Sequence, residues 1–272
     1  MFVSNKILTI GLVAAVLIVA GAMLAMGKKS APGISGGSSS SVQELYAQAV
    51  ALEEKNELLK ARENYQKIMS DYPDFKEIAN VQKKLESANL KIIFSAIETP
   101  QTIIHEVQPG ESLGKIAKQY SVTTELIKKS NNLTQDTIKA GQRLRIWKGV
   151  FSIFVDKSQN ILLLKCDGEI IKVYNVSTGK NNITPVGTFK IVNKLIDPPW
   201  YKNGRAIPPG NPENILGSRW MGFDIPSYGI HGTTQPETIG QQVTAGCVRM
   251  RNEEVEELFS LIPVGTQVTI ID

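Results

Sequence analysis

The chain has 272 residues, 42% of them hydrophobic, and 30 Lys and Arg stand against 26 Asp and Glu for a net charge of +4. This apolar content excludes a wholly disordered chain, and the absence of any long Lys/Arg run sets nucleic-acid binding aside. Two cysteines, Cys166 and Cys247, and two histidines, His105 and His231, exclude a disulfide scaffold and offer no spaced zinc motif, so no metal and no organic cofactor is expected.

In chain order, Ile7 to Gly27 carries no charge and is flanked by Lys6, Lys28 and Lys29. As a helix it spans about 31 Å, the thickness of a bilayer core. It is longer than a signal-peptide apolar region, so residues 1–29 are read as an uncleaved membrane anchor, with a cleaved signal as the alternative. The flanking lysines do not fix its orientation. Residues 30–41, SAPGISGGSSSS, read as a Gly/Ser linker.

Residues 42–97 have helical periodicity. Leu45, Ala49 and Leu52, then Leu58, Ala61, Tyr65 and Ile68, fall at three- and four-residue steps until Tyr72-Pro73 ends the run. The order of Ala47, Leu52, Ala61, Tyr65 and Tyr72-Pro73 resembles one tetratricopeptide-type hairpin, and a third helix follows from about Asp74 to Phe94. Both a helical spacer and a module that binds a protein partner are open readings.

Residues 102–147 change to a strand–helix–helix–strand pattern. Ile103 to Val107 is a strand, Gln108-Pro109-Gly110-Glu111 a turn, and Ser112 caps a helix carrying Leu113, Ile116 and Ala117. Thr123 or Thr124 caps a second helix that closes at Asn131-Asn132-Leu133, and Gly141-Gln142-Arg143-Leu144 enters the second strand. This small α+β run resembles a LysM domain along its whole length. The resemblance implies binding to N-acetylglucosamine-containing glycan strands, with Gly110, Glu111, Ser112, Leu113 and Asn132 as candidate contacts. His105 is read as structural.

Residues 149–272 are rich in strand patterns: Phe151 to Val155, Ile161 to Lys165, Glu169 to Asn175, Gly187 to Val192, Trp220 to Phe223 and Val268 to Ile271. Asp167-Gly168 marks a hairpin, Asn252 to Leu261 a helix, and the Pro- and Gly-dense stretch 197–212 a long loop able to line a groove. Trp200, Tyr201 and Trp220 read as packing residues and Cys166 as a buried thiol.

The chemistry concentrates in 228–250, YGIHGTTQPETIGQQVTAGCVRM. A thiol near its ordinary pKa is mostly protonated at neutral pH, and an imidazole within reach can take its proton and return it to a leaving amine. His231 is the only imidazole in this region for Cys247. Gly232 lets its own carbonyl approach and orient the ring, and Gly246 clears space for N–H groups to meet an oxyanion. From the residues alone, a buried inert cysteine is an open alternative, as is an Arg249–Glu253 ion pair.

Ser177-Thr178-Gly179-Lys180, Thr184-Pro185-Val186-Gly187-Thr188-Phe189, Gly217-Ser218-Arg219-Trp220-Met221-Gly222-Phe223, Tyr228-Gly229-Ile230-His231-Gly232-Thr233 and Thr244-Ala245-Gly246-Cys247-Val248-Arg249-Met250 together resemble the YkuD-type L,D-transpeptidase catalytic domain. The resemblance implies Cys247 as acyl acceptor, His231 as base and the Gly232 carbonyl as third element, with Arg249, Gly246, Thr244, Ala245 and Tyr228 supporting oxyanion or substrate. Ala245 stands where many members carry His. The expected fold class is therefore multidomain: an N-terminal transmembrane helix, an all-α tetratricopeptide-like segment, an α+β LysM domain and a mainly-β catalytic domain. The expected activity is peptidoglycan cross-linking from the cell envelope, with the membrane as anchor and stem peptides and glycan strands as partners. Attachment of a protein amine and hydrolysis are alternative fates of the same thioester, and a non-catalytic glycan-binding scaffold is the reading without chemistry.

Overall fold

The structure, a computed structural model, describes residues 39–202 and 204–272. The chain divides into two compact units, Met1–Ile92 and Ile93–Asp272.

The first unit contains α1 (Ser39–Glu54), α2 (Leu58–Asp71) and most of α3 (Ile78–Ile93). Ala49, Ala61, Tyr65 and Ile68 are wholly buried with Val81 and Phe75 close by. Glu53 receives Lys84, Lys91 and the Tyr65 hydroxyl at 3.1, 2.8 and 3.0 Å. Burial works against its charge, but these donors outweigh it and hold the carboxyl down to about 2.

Two expectations are corrected here. Among the described residues no helix is long and apolar enough to cross a membrane, so the transmembrane helix is removed from the fold class. A bilayer core needs about 20 apolar residues, whereas α1 and α3 have 16 residues each and carry charges. The segment 7–27 itself lies outside the described residues, as does 30–38 of the linker, while Ser39 to Ser41 belong to α1.

In the second unit, β1 (Thr102–Glu106) pairs antiparallel with β2 (Arg143–Trp147), and α4 (Leu113–Tyr120) and α5 (Thr124–Ser130) lie between them in the chain. Ser112 and Thr123 cap the two helices by accepting the Lys115 and Leu126 N–H groups. Val107, Leu113, Ile116, Ile127, Leu144 and Ile146 form the core of this small layer.

The remainder is built on one sheet. In chain order its strands are β3 (Phe151–Asp156), β4 (Ile161–Cys166), β5 (Glu169–Asn175), β7 (Gly187–Ile196), β10 (Arg219–Phe223), β11 (Gly229–His231), β13 (Val248–Arg249) and β14 (Gln267–Ile271). Among the described residues their order across the sheet is β13-β11-β10-β7-β14-β3-β4-β5. β6 (Thr178–Gly179) pairs with β12 (Gln242–Thr244) apart from it. The stretch expected as an open loop contains a hairpin, β8 (Trp200–Lys202) with β9 (Arg205–Ile207). Buried Asn214 pins its base by donating to the Pro198 and Ile207 carbonyls at 2.9 and 3.2 Å.

α6 (Asn252–Leu261) packs on the sheet through Val255 and Leu258, both wholly buried. Its C-terminal end has carbonyls that need donors. Lys194, reaching from β7, gives them one: Nζ donates to Phe259 O at 2.6 Å and Ile262 O at 2.8 Å and lies 3.9 Å from the Phe259 ring centroid. Burial pushes this ammonium down to about 8. Lys194→Met leaves both carbonyls without their charged donor, and a loss of about 1.5–3 kcal/mol is expected, read as an earlier urea midpoint.

Candidate active site

β11 and β13 lie side by side and parallel, with Ile230 opposite Val248 and His231 opposite Arg249. Side chains alternate along a strand, so paired rows share a face. Met221, Ile230 and Val248 are wholly buried on the face that α6 covers. His231 and Arg249 belong to the other face. Cys247, one residue before β13, falls by the same alternation on the face of His231. Residues 16 positions apart in sequence thus become diagonal neighbours on one surface.

His231 is 3% exposed. Its Nδ1 lies 2.6 Å from the Gly232 carbonyl. A carbonyl only accepts, so Nδ1 carries the hydrogen and Nε2 keeps a lone pair. Gly232 has no room for a side chain: a Cβ there would stand 2.2 Å from Asn252 Oδ1. Asn252 occupies that space because it staples the neighbouring backbone. Its Oδ1 accepts from Thr233 N at 3.0 Å and Ser218 N at 3.2 Å, and its Nδ2 donates to Thr233 O at 2.9 Å. The Trp220 indole stacks on the imidazole, centroids 6.1 Å apart and planes 18° from parallel.

Cys247 is partly exposed, and its thiol donates to the Ser227 carbonyl at 3.4 Å rather than to the imidazole. The turn before it is braced by Thr244, whose hydroxyl donates to Cys247 O at 2.7 Å and accepts Gly246 N–H at 3.1 Å. That N–H is therefore occupied at rest. Gly246 has φ +118°, and a Cβ there would lie 2.6 Å from the Tyr228 ring, so Tyr228 packs directly on the turn before Cys247. Ala245 is exposed. Arg249 is buried and donates to Gln235 Oε1 at 3.3 Å and Thr238 Oγ1 at 2.9 Å. These partners replace the Glu253 ion pair left open by the sequence, and Arg249 Nε is buried without a protein partner.

Electrostatics define the resting state. Burial pushes the His231 imidazole down to about 4, and the nearby Arg249 charge acts in the same direction. Burial pushes the Cys247 thiol up to about 11, against the Gly229 backbone contact and the Arg249 charge, which favour the thiolate. Both groups are neutral at pH 7. The pair rests as thiol and free base rather than as thiolate and imidazolium, a state in which the imidazole is able to accept the thiol proton. Cys166, pushed up to about 12 by burial, is inert by comparison. Among the described residues no group of three His, Cys, Asp or Glu side chains is placed to hold a metal.

The candidate glycan contacts divide. Glu111 Oε2 is taken up by Gln108 N–H at 2.7 Å and His105 Nε2 at 2.8 Å, Ser112 serves as a cap, and Leu113 is buried. Gly110, at the turn, and Asn132 are exposed. His105 lies between Glu111 and the Tyr120 hydroxyl. Sequence reasoning missed Ser227, Asn252 and the stacking of Trp220. Asn252 carried one signal, an Asn at a helix start, but its amide braces another segment instead of capping its own helix.

Residues 151–270 match the family of the L,D-transpeptidase catalytic domain, YkuD, and residues 105–147 match the LysM domain. The putative L,D-transpeptidase YqjB of Bacillus subtilis is 44% identical over 126 residues, covering 44% of this chain and 70% of that protein. The putative L,D-transpeptidase YkuD of the same organism is 33% identical over 175 residues, covering 62% of this chain and 98% of that protein. A solved L,D-transpeptidase from Mycobacterium smegmatis overlaps with a TM-score of 0.41 and 18% identity, covering 48% of this chain and 64% of that one.

Two pH dependences follow. Alkylation of Cys247 by iodoacetamide is expected to accelerate continuously from about pH 6 to about pH 9; a flat rate across that range would mean a preformed thiolate. Folded His231 takes its proton only near pH 4, whereas the unfolded chain takes it near 6.5. The unfolded state therefore binds more protons in that window, and stability falls as pH falls through it. His231→Gln is expected to flatten this slope in thermal melts.

Proposed function

The chain belongs to the YkuD family of L,D-transpeptidases, and from that membership we propose how its own residues carry out the reaction. The protein is a peptidoglycan L,D-transpeptidase of the cell envelope, a cysteine-dependent acyltransferase with a LysM domain that binds peptidoglycan. We assign Cys247 as nucleophile, His231 as general base and then acid, and the Gly232 carbonyl as the group that orients the ring. The observation that carries the assignment is that Nδ1 is committed to Gly232 while thiol and imidazole share one face of the sheet.

The donor is a tetrapeptide stem. His231 Nε2 accepts the thiol proton as sulfur attacks the carbonyl between the diamino acid and D-Ala. The tetrahedral intermediate collapses, the C–N bond breaks, and the imidazolium returns the proton to the departing D-Ala amine. A thioester remains on Cys247. The side-chain amine of a neighbouring stem's diamino acid then attacks it, His231 accepts the amine proton, and the thiolate leaves and is reprotonated. The product is a cross-link and the enzyme is regenerated. Arg249 is placed to favour the sulfur's negative charge, and Thr244 with Tyr228 holds the turn that presents it.

We assign residues 102–147 to holding glycan and 149–272 to the chemistry, with the helices of 42–97 as a spacer. A glycan-bound module raises the local concentration of stem peptides without adding catalytic contacts. The thioester would equally accept water or a protein amine, and the acceptor present decides between these fates.

Incubation with tetrapeptide muropeptides is expected to give cross-linked dimers and free D-Ala, resolved by mass spectrometry. Cys247→Ala abolishes both products, and His231→Gln lowers turnover by about 100-fold or more. Undiminished turnover by Cys247→Ala removes the mechanism.

A further inference from the structure

The face that carries His231 continues across two more strands. Trp220 lies opposite His231 on one side and Leu195 on the other. Two residues along β10, Gly222 lies opposite Gly229 and Asn193. By the alternation of side chains, Asn193, Gly222 and Gly229 share the face of Trp220, His231 and Cys247. Two positions on this face therefore have no side chain, and they are where the indole lies. A Cβ on Gly222 would be 2.8 Å from Trp220 Nε1, and a Cβ on Gly229 would be 2.9 Å from Trp220 Cζ2. At the far end the indole Nε1–H donates to Asn193 Oδ1 at 3.0 Å.

We propose that Trp220 and Asn193 are positioning residues for the general base: Asn193 locks the indole flat over the two glycines, and the locked indole walls the imidazole of His231 from water and fixes its ring plane. The inference rests on the assignment of His231 as base. It adds a second restraint to the one supplied by Gly232. The carbonyl fixes the ring at Nδ1, and the indole fixes the tilt about that hydrogen bond, so that the Nε2 lone pair keeps one direction.

Two effects of the indole on the imidazole oppose each other. Its π face favours an imidazolium, an attraction worth less than about one pKa unit at this separation. Its bulk excludes water, and burial is the largest cause of the imidazole's low proton affinity. Burial wins, so freeing the indole raises the imidazole pKa. The other groups facing the ring are known. The Arg249 guanidinium on β13 disfavours the imidazolium, and the Gly232 and Leu216 carbonyls favour it. The Cys247 thiol is the titratable neighbour on the same face, and it is neutral at pH 7. None of these is altered by a change at Asn193, whose side chain is exposed on β7.

The test is an NMR titration of the full chain, in which the only two histidines are His105 and His231. Asn193→Ala and Trp220→Phe, which remove the two ends of one hydrogen bond, are each expected to raise the His231 pKa by about one unit. The double variant is expected to shift no further than either single one. The acid limb of kcat/KM moves with the titration, kcat falls by about 10-fold and KM holds, and Asn193→Gln restores part of the loss. An unmoved His231 titration in Asn193→Ala overturns the proposal, as does a rise in KM alone, which would make Asn193 a substrate contact. Asn193→Ala decides by itself if Trp220→Phe does not fold. The titration needs no turnover, so a failure of this inference is separate from a failure of the assigned reaction.

Discussion

The site depends on one short hydrogen bond, from His231 Nδ1 to the carbonyl of the very next residue. A carboxylate in that place would orient the ring and raise its proton affinity together. A neutral carbonyl orients it with only a weak pull on the proton, so burial dominates and the imidazole stays a free base. The geometry requires that Gly232 carry no side chain. Asn252 enforces this by filling the space beside Gly232 and bonding the flanking backbone groups.

The second constraint is the parallel pairing of two very short strands. It converts a sequence separation into adjacency and assigns faces at once: sulfur, imidazole and guanidinium to one side, Ile230 and Val248 to the buried side. The helix that covers the buried side has a further contact. Thr123 donates to the Ser260 carbonyl and Lys129 Nζ lies 3.1 Å from Ser260 Oγ, so α5 of the glycan-binding module meets the C-terminal turn of α6. The N-terminal residue of that same helix is Asn252. One element therefore touches the LysM module and braces the backbone beside His231.

Much of this architecture is legible from local pattern. The LysM segment is read from caps, a Pro-Gly turn and apolar spacing, because its structure is set by neighbours close in the chain. α6 is visible from Val255, Leu258 and Phe259. Cys247, His231 and Gly232 stand out because cysteine and histidine are rare here and the surrounding motifs are distinctive. β11 and β13 are invisible to periodicity, since three and two residues cannot display an alternation. Glu111 shows the reverse failure: its place in a glycan-binding motif is plain, but only the fold reveals that backbone and His105 already occupy its carboxylate.

By itself, the sequence determined the chemical inventory: the thiol of Cys247, the imidazole of His231, the glycine that follows it, and the local elements that carry them. The tertiary structure alone decided that Trp220 stacks on the His231 ring, that Ser227 holds the thiol at rest, that Asn252 reaches across to the backbone beside Gly232, and that Arg249 turns to Gln235 and Thr238 instead of Glu253. The physical reason is range. Capping and amphipathic spacing act within a few residues and leave their mark on composition, whereas proton affinity and ring orientation arise from groups brought together by strand pairing, whose register no single segment encodes.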